Sequence, residues 1–151
     1  MSRRSVVALL AALLVTALSA CVGPARTTAQ YEGKATRTAN DAQSNLATAL
    51  LAVRTSQRDR LLGRSLHVVL SESEDAYDSI QTTFDSIQPP ETARADALRS
   101  QLDAILSDGA DSLSQLRIAA RRSDQPTLLK TAAALPGVID RLKKFVAEVT
   151  G

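Results

Sequence analysis

Apolar residues recur in steps of three and four along four successive stretches of this chain. Such spacing places them on one face of an α-helix, and the alternation typical of strands is absent. Prolines and glycines separate the four stretches, which argues against one long coiled coil. The pattern predicts an all-α fold, an antiparallel up-down-up-down four-helix bundle.

The apolar stripe of the first stretch is rich in alanine, so a neighbouring helix can approach it closely. The other stripes carry larger side chains, and we expect Leu102, Ile105, Leu116, Leu142 and Val146 to face the centre. The stripes in chain order are Ala35, Ala39, Ala42, Leu46, Ala49, Val53; Leu66, Leu70, Ser73, Tyr77, Ile80, Phe84, Ile87; Leu98, Leu102, Ile105, Gly109, Leu113, Leu116, Ala120; and Leu128, Ala132, Leu135, Ile139, Leu142, Val146, Val149.

Capping and helix-breaking residues set the expected boundaries. Ser65 and Asp124 are N-cap candidates, and Pro126 falls just inside the last helix. Gln88-Pro89-Pro90 ends the second helix because the residue before a proline avoids helical conformation, and Pro90 can begin the third. The expected helices cover residues 29–56, 65–88, 91–122 and 125–150.

Two residues interrupt the pattern inside a helix. Glycine in mid-helix costs about 1 kcal/mol relative to alanine, so Gly109 predicts either the close approach of another backbone or a bend. Pro136 lacks the N–H that a helix interior needs. We therefore expect a kink or a short break over residues 133–137.

The first residues have the features of an export signal. Arg3 and Arg4 precede an apolar run over residues 6–18 that only Thr16 interrupts. This run is shorter than the roughly 20 apolar residues of a membrane-spanning helix. The expected division of the chain is a signal peptide over 1–20, a tether over 21–28 and the bundle over 29–151.

The signal ends at the only cysteine of the chain. Leu18, Ser19 and Ala20 lead to Cys21, and this arrangement resembles the lipobox of bacterial lipoproteins. The resemblance implies that Cys21 is acylated on sulfur, becomes the mature N-terminus and anchors the protein to the extracytoplasmic face of the cell membrane. A simple secreted protein is the alternative. General export is favoured over the twin-arginine route, because the residues after the arginine pair lack the aromatic residue and leucine of twin-arginine signals.

Three short motifs of the mature chain, over residues 31–35, 88–90 and 117–122, are similar to small lipoproteins of actinobacteria. The excess of arginine over lysine and the abundance of alanine agree with a high-GC source of that kind. The resemblance implies no activity, since none of these motifs is catalytic in type.

Charge and cysteine content exclude several classes of function. The chain has 18 Lys and Arg against 16 Asp and Glu, and the excess is Arg3 and Arg4 of the signal peptide. A mature chain without net charge offers no electrostatic basis for binding nucleic acid. The single cysteine allows no internal disulfide, so packing must stabilise the fold.

His67 is the only histidine and lies near the start of the second predicted helix. Di-iron bundles need two Glu-x-x-His motifs, and haem or structural zinc sites need more histidines or cysteines. As a general base, His67 would need a nucleophile that the sequence does not identify. We expect His67 at a surface or boundary position, and we predict no cofactor, no metal and no catalytic residue.

The first two predicted helices differ in charge. Residues 65–91 contain six acids and neither Lys nor Arg, whereas residues 22–64 contain seven basic and three acidic residues. A weak calcium site on Glu72 and Asp75 would lack the glycine-containing turn of calcium loops. We therefore expect the acids of the second helix to pair with the first helix.

Arg117, Arg121 and Arg122 lie at the end of the third predicted helix. Cations at that end interact favourably with the helix dipole, and they are also suited to anionic lipid headgroups or wall polymers. The charge balance of the mature chain favours the capping role.

These observations predict a non-enzymatic, lipid-anchored accessory or scaffolding subunit of the cell envelope, with an envelope protein as partner. A helical bundle that binds a small ligand in its alanine-lined part is the alternative. Convergent polar side chains in a deep pocket would favour the alternative, and a large exposed apolar patch would favour the first.

Overall fold

The computed structural model describes residues 25–58 and 63–151, which form four α-helices and contain no strand. The all-α fold predicted from the apolar spacing is confirmed. In chain order the helices are α1, Thr28–Ser56; α2, Gly63–Asp85; α3, Ala93–Arg122; and α4, Gln125–Thr150.

α1 contacts each of the other three helices. α2 and α4 both contact α1 and α3, but within the described residues these two helices do not contact each other. Ala35, Ala39 and Ala42 are fully buried on α1, and their small side chains allow α3 to approach across the diagonal of the bundle. α1 and α3 each contact the other three helices, so these two helices form the diagonal pair at the centre of the core.

Side-chain oxygens cap three of the helices at their N-termini. The amide of Gln30 donates to Thr27 Oγ1 (3.2 Å), and the amide of Ala95 donates to Thr92 Oγ1 (3.2 Å). Asp124 caps α4, as predicted, by accepting from the amide of Thr127 (3.1 Å). Each cap satisfies an amide that has no partner within its own helix.

The predicted ends of the second helix are wrong by a few residues. α2 already includes Gly63, so Ser65 lies inside the helix and is not its N-cap. α2 ends at Asp85, before the proline pair. Because Thr92 supplies the cap of α3, that helix begins at Ala93 and Pro90 lies outside it.

The apolar stripes form the core. Of the five predicted central residues, Leu102, Ile105, Leu116 and Leu142 are buried, and Val146 is half-buried against the core. The predicted stripes omit several core residues: Tyr31 continues the stripe of α1 by one step of four, and the others lie to one side of the strict three-four spacing. They include Tyr31, Leu50, Leu106, Ala119, Val138 and Phe145.

A side chain of α2, rather than the predicted backbone, approaches Gly109 on α3. A Cβ atom at Gly109 would lie 2.7 Å from Tyr77 Cζ and 3.4 Å from Leu46 Cδ1. The distance to Tyr77 is much shorter than an ordinary carbon–carbon contact. The absence of a side chain at Gly109 therefore makes room for the Tyr77 ring.

α4 is helical from Gln125 to Thr150 with Pro136 inside it, so the predicted break is wrong, while the alternative of a kink stays a prediction. Leu135 is fully buried, and Val138 and Ile139 are also buried on the same helix. Burial of these side chains on both sides of the proline stabilises the helical backbone by more than the missing hydrogen bond costs.

Candidate functional site

Cys21 and the residues before it, Leu18, Ser19 and Ala20, lie outside the described residues. The described chain begins at Ala25, which is only 4 % exposed and belongs to the hydrophobic core. None of the described helices is long and apolar enough to cross a membrane.

His67 is half-exposed on α2, as the sequence predicted. Its imidazole forms no hydrogen bond with the residues that the structure describes. A general base needs a partner that orients its ring and a nucleophile within hydrogen-bond reach. The described surroundings of His67 therefore lack the arrangement that activates a nucleophile.

Two acids of α2 pair with α3, not with α1 as predicted from the charge distribution. Glu74 accepts from Arg117 through both carboxylate oxygens, and this hydrogen bond raises the pKa of Arg117. Asp85 lies 3.8 Å from an Arg99 nitrogen. The pairing also changes the role of Arg117, which bridges two helices instead of capping its own.

The remaining acids of α2 do not form a metal site. Glu72 and Asp75 are exposed on the surface of the helix. Within the described ranges, no group of three His, Cys, Asp or Glu side chains lies close enough together to hold a metal ion.

One open groove lies between the start of α2 and the end of α3, and we refer to it as the α2–α3 groove. Its volume is about 460 Å³. Arg64 and Arg121 bring positive charge to it, while Val68 gives it an exposed apolar wall. Its lining residues are Gly63, Arg64, His67, Val68, Ala120, Arg121 and Ser123.

Ser123 has a left-handed backbone with a φ of 56°, the only positive φ of a non-glycine residue in the described chain. It forms the C-cap of α3, and its amide donates to the carbonyl of Ala120 (3.2 Å). Glycine is the residue that fits this conformation without steric cost. The tight turn places Ser123 in the α2–α3 groove.

A second groove of about 330 Å³ lies between α1 and α2, and we refer to it as the α1–α2 groove. Ile80 and Ile87 form its apolar part, and Lys34, Arg37 and Asp41 bring charges of both signs. Arg37 is exposed, and its side chain forms no ion pair with a described residue. The groove runs beside the alanine-rich half of α1, outside the core.

Arg99 contacts the C-terminal end of α2, a role that the sequence did not reveal. Its guanidinium donates to the carbonyls of Ile87 (2.9 Å) and Asp85 (3.1 Å) and lies 5.8 Å from the centre of the Phe84 ring. α2 has no basic residue in its last turn, and that absence was the available signal that a cation comes from another helix. Arg99 thus holds the end of α2 against α3.

Two buried tyrosine hydroxyls, those of Tyr31 and Tyr77, have no hydrogen-bond partner within the described residues. Burial raises the pKa of both phenols, that of Tyr77 strongly, and for Tyr31 the nearby Arg99 partly offsets the increase. Both rings therefore stay neutral and act as core side chains.

Comparison with protein-family models, with curated proteins and with solved structures gives no significant match to this chain.

Proposed function

We propose that this protein is a lipid-anchored, extracytoplasmic accessory or scaffolding subunit of the cell envelope without enzymatic activity. The observation that carries the proposal is the lipobox-like Leu18-Ser19-Ala20-Cys21 at the end of an export signal, followed at once by a folded bundle. The chain joins the core at Ala25. The tether is therefore short, and the bundle stays near the membrane surface.

We further infer that the four helices after the signal segment alternate in direction, as in an up-down-up-down bundle. The starts of α1 and α3 meet where Arg94 lies 3.1 Å from Glu32. Near the start of α3, Gln101 donates to Glu148 (3.0 Å), which lies near the end of α4. These pairs support parallel α1 and α3 and antiparallel α3 and α4.

The anchor is tested by replacing Cys21 with serine in an actinobacterial host. Serine has no thiol to accept a diacylglyceryl group, so Cys21→Ser should abolish labelling by an alkyne fatty acid and remove the protein from the membrane fraction. A single acyl chain binds membranes only marginally, whereas two chains hold stably. Ser19→Ala is the matched control, because it keeps a small residue beside the cysteine and should leave labelling intact. Persistent labelling of Cys21→Ser would refute the proposal.

A second candidate function is the binding of a small amphipathic ligand in the α1–α2 groove. The groove combines an apolar part, Ile80 and Ile87, with the unpaired cation of Arg37. This chemistry suits an organic acid with an apolar body. Isothermal titration with medium-chain carboxylic acids tests it: Arg37→Gln should weaken binding, whereas Lys144→Gln, an exposed cation outside the groove, should not.

A further inference from the structure

One end of the bundle gathers arginines from three helices, and we refer to it as the arginine end. Arg54 and Arg58 lie at the end of α1, Arg64 lies at the start of α2, and Arg121 and Arg122 lie in the last turn of α3. Arg64 and Arg121 line the same groove, so the start of α2 and the end of α3 lie side by side. All five side chains are exposed.

These five arginines form no ion pair with the described residues, unlike the four arginines that join or brace the helices. Arg94, Arg99, Arg117 and Arg141 each pair with a carboxylate. No side chain of the arginine end forms an ion pair or hydrogen bond with the described part of the chain. An unpaired cluster of like charges is unfavourable within the protein but creates a positive potential that attracts anions.

Among the described residues, Asp124 is an acid that interacts with one arginine of this cluster. Asp124 follows α3 directly, and its carboxylate accepts hydrogen bonds from Thr127 that lower its pKa. Asp124 interacts electrostatically with Arg122. Arg64 and Arg121, on either side of the α2–α3 groove, remain without a counter-charge there.

The arginine end is remote from the proposed lipid anchor. Ala25 lies before the first turn of α1, and Arg54 lies in the last turn of that helix. A helix of 29 residues is about 43 Å long. If the protein is anchored at Cys21, as proposed above, the arginine end faces away from the headgroups of its own membrane.

The composition of the α2–α3 groove favours a charged polymer over a protein partner as its occupant. Val68 is the one large apolar side chain of the α2–α3 groove that is exposed, and the centre of a stable protein interface needs much more apolar area. Guanidinium groups bind phosphate and carboxylate in a bidentate manner. Five of them, spread over three helix ends, can contact repeated anionic groups along one chain.

We propose that the arginine end binds a linear anionic polymer of the cell envelope, one with phosphate or carboxylate groups in each repeat, and that the α2–α3 groove holds one such group between Arg64 and Arg121. The location of this binding at the membrane rests on the proposed lipid anchor, whereas the affinity of the arginine end for the polymer does not. The anchored bundle would then link the membrane to that polymer.

The test uses the full-length acylated protein in neutral phosphatidylcholine vesicles. Fluorescent poly(glycerol phosphate) and polygalacturonate are the phosphate and carboxylate probes, and dextran is the neutral control. At least one of the two anionic polymers should bind, and its affinity should fall as the salt concentration is raised. Which of them binds more tightly identifies the anionic group.

The double variant Arg64→Gln/Arg121→Gln should weaken polymer binding by about tenfold or more, since two charge-assisted contacts are lost. The matched control, Arg26→Gln/Lys144→Gln, removes the same charge from exposed side chains outside the arginine end and should change affinity by less than about twofold. Equal weakening by both variants would overturn the proposal, because net charge alone would explain it. Absence of polymer binding at low salt would also overturn it.

Vesicles of phosphatidylglycerol distinguish lipid headgroups from polymer. If the protein tethers these vesicles but binds neither polymer, a lipid surface is the ligand and the proposal is wrong. Membrane fractionation tests the anchor separately from polymer binding. A protein that is absent from the membrane fraction but still binds the polymer would contradict only the lipoprotein assignment.

Discussion

The Tyr77 ring occupies the space that a side chain at Gly109 would need. Tyr77 is 1 % exposed, and its hydroxyl has no hydrogen-bond partner in the described residues. Contact between a buried ring and a helix backbone fixes the separation of α2 and α3 at this level of the bundle. Glycine is therefore favoured at position 109, although glycine inside a helix lowers stability.

Gly109→Ala should therefore destabilise the fold, although alanine is the better helix former. The added methyl group forces the Tyr77 ring to shift, and overpacking of this kind costs about 1–3 kcal/mol. The free energy of unfolding in urea measures the effect. Gly137→Ala is the matched control, since a Cβ there meets nothing within 4 Å, and it should stabilise by about 1 kcal/mol. Equal effects of the two substitutions would contradict the packing argument.

Arg99→Ala should destabilise the protein more than Arg94→Ala, although both arginines lie on α3. Arg99 donates to two carbonyls at the end of α2, and hydrogen bonds of a charged group contribute about 1.5–3 kcal/mol. Arg94 forms an exposed pair with Glu32, worth about 0–1 kcal/mol. Chemical denaturation of both variants checks the order. If Arg94→Ala cost as much, Arg99 would not have the capping role assigned to it.

Leu102→Ala should be far more damaging than His67→Ala. Leu102 is fully buried on α3, and a buried Leu→Ala change costs about 2–5 kcal/mol. His67 is half-exposed and leaves no described hydrogen-bond partner behind, so its loss should stay within about 0.5 kcal/mol. Urea unfolding of the domain from Val22 onward compares the two. A large loss at His67 would mean that its imidazole has a structural partner after all.

Ser123→Gly should raise the free energy of unfolding by about 0.5–1 kcal/mol, because glycine adopts the left-handed conformation without steric cost. Thermal and urea unfolding measure the gain. Ser65→Gly is the control, because it places glycine inside α2, where it should destabilise. A loss of stability in Ser123→Gly would show that the serine hydroxyl contributes more than the backbone strain costs.

The N-cap of α4 should make stability depend on pH in the acid range. The hydrogen bonds from Thr127 hold the pKa of Asp124 below its usual value of 3.8. Its contribution is therefore complete above pH 3.8 and is lost as the pH falls through the lowered pKa of the folded state. Asp124→Asn keeps a capping oxygen but cannot titrate, so its melting temperature should approach that of the wild type as the pH falls. A difference between the two proteins that stayed constant with pH would contradict this assignment.

The sequence predicts the helices well because burial dictates the three-four spacing of apolar residues. Every residue of the alanine-rich stripe from Ala35 to Val53 is buried on α1. Helix ends were predicted less well, because Ser65 is an acceptable cap by residue type yet lies inside α2, and the cap of α3 is Thr92, which the sequence pattern did not single out. Pro136 shows the same limit: its local cost is visible in the sequence, while the packing that outweighs it is not.

The grooves and ionic contacts could not be derived from spacing. The charge of α2 indicated that its acids need cations, but Glu74 and Asp85 find them on α3. That choice depends on the rotation of each helix about its axis. The arginine end depends in turn on which helix termini meet, and residues as distant in sequence as Arg64 and Arg121 become neighbours only in the folded chain.

The central position of α1 has a mechanical consequence. A pull on the chain at Ala25 acts along the axis of α1, which, like α3, contacts all three other helices. Such a load has to break the contacts of α1 with three helices together. A pull on α2, which contacts only α1 and α3, can break its contacts one after another. Tension applied at the N-terminal side is therefore distributed over the contacts that α1 makes with all three other helices. These contacts together resist extraction of α1 from the core.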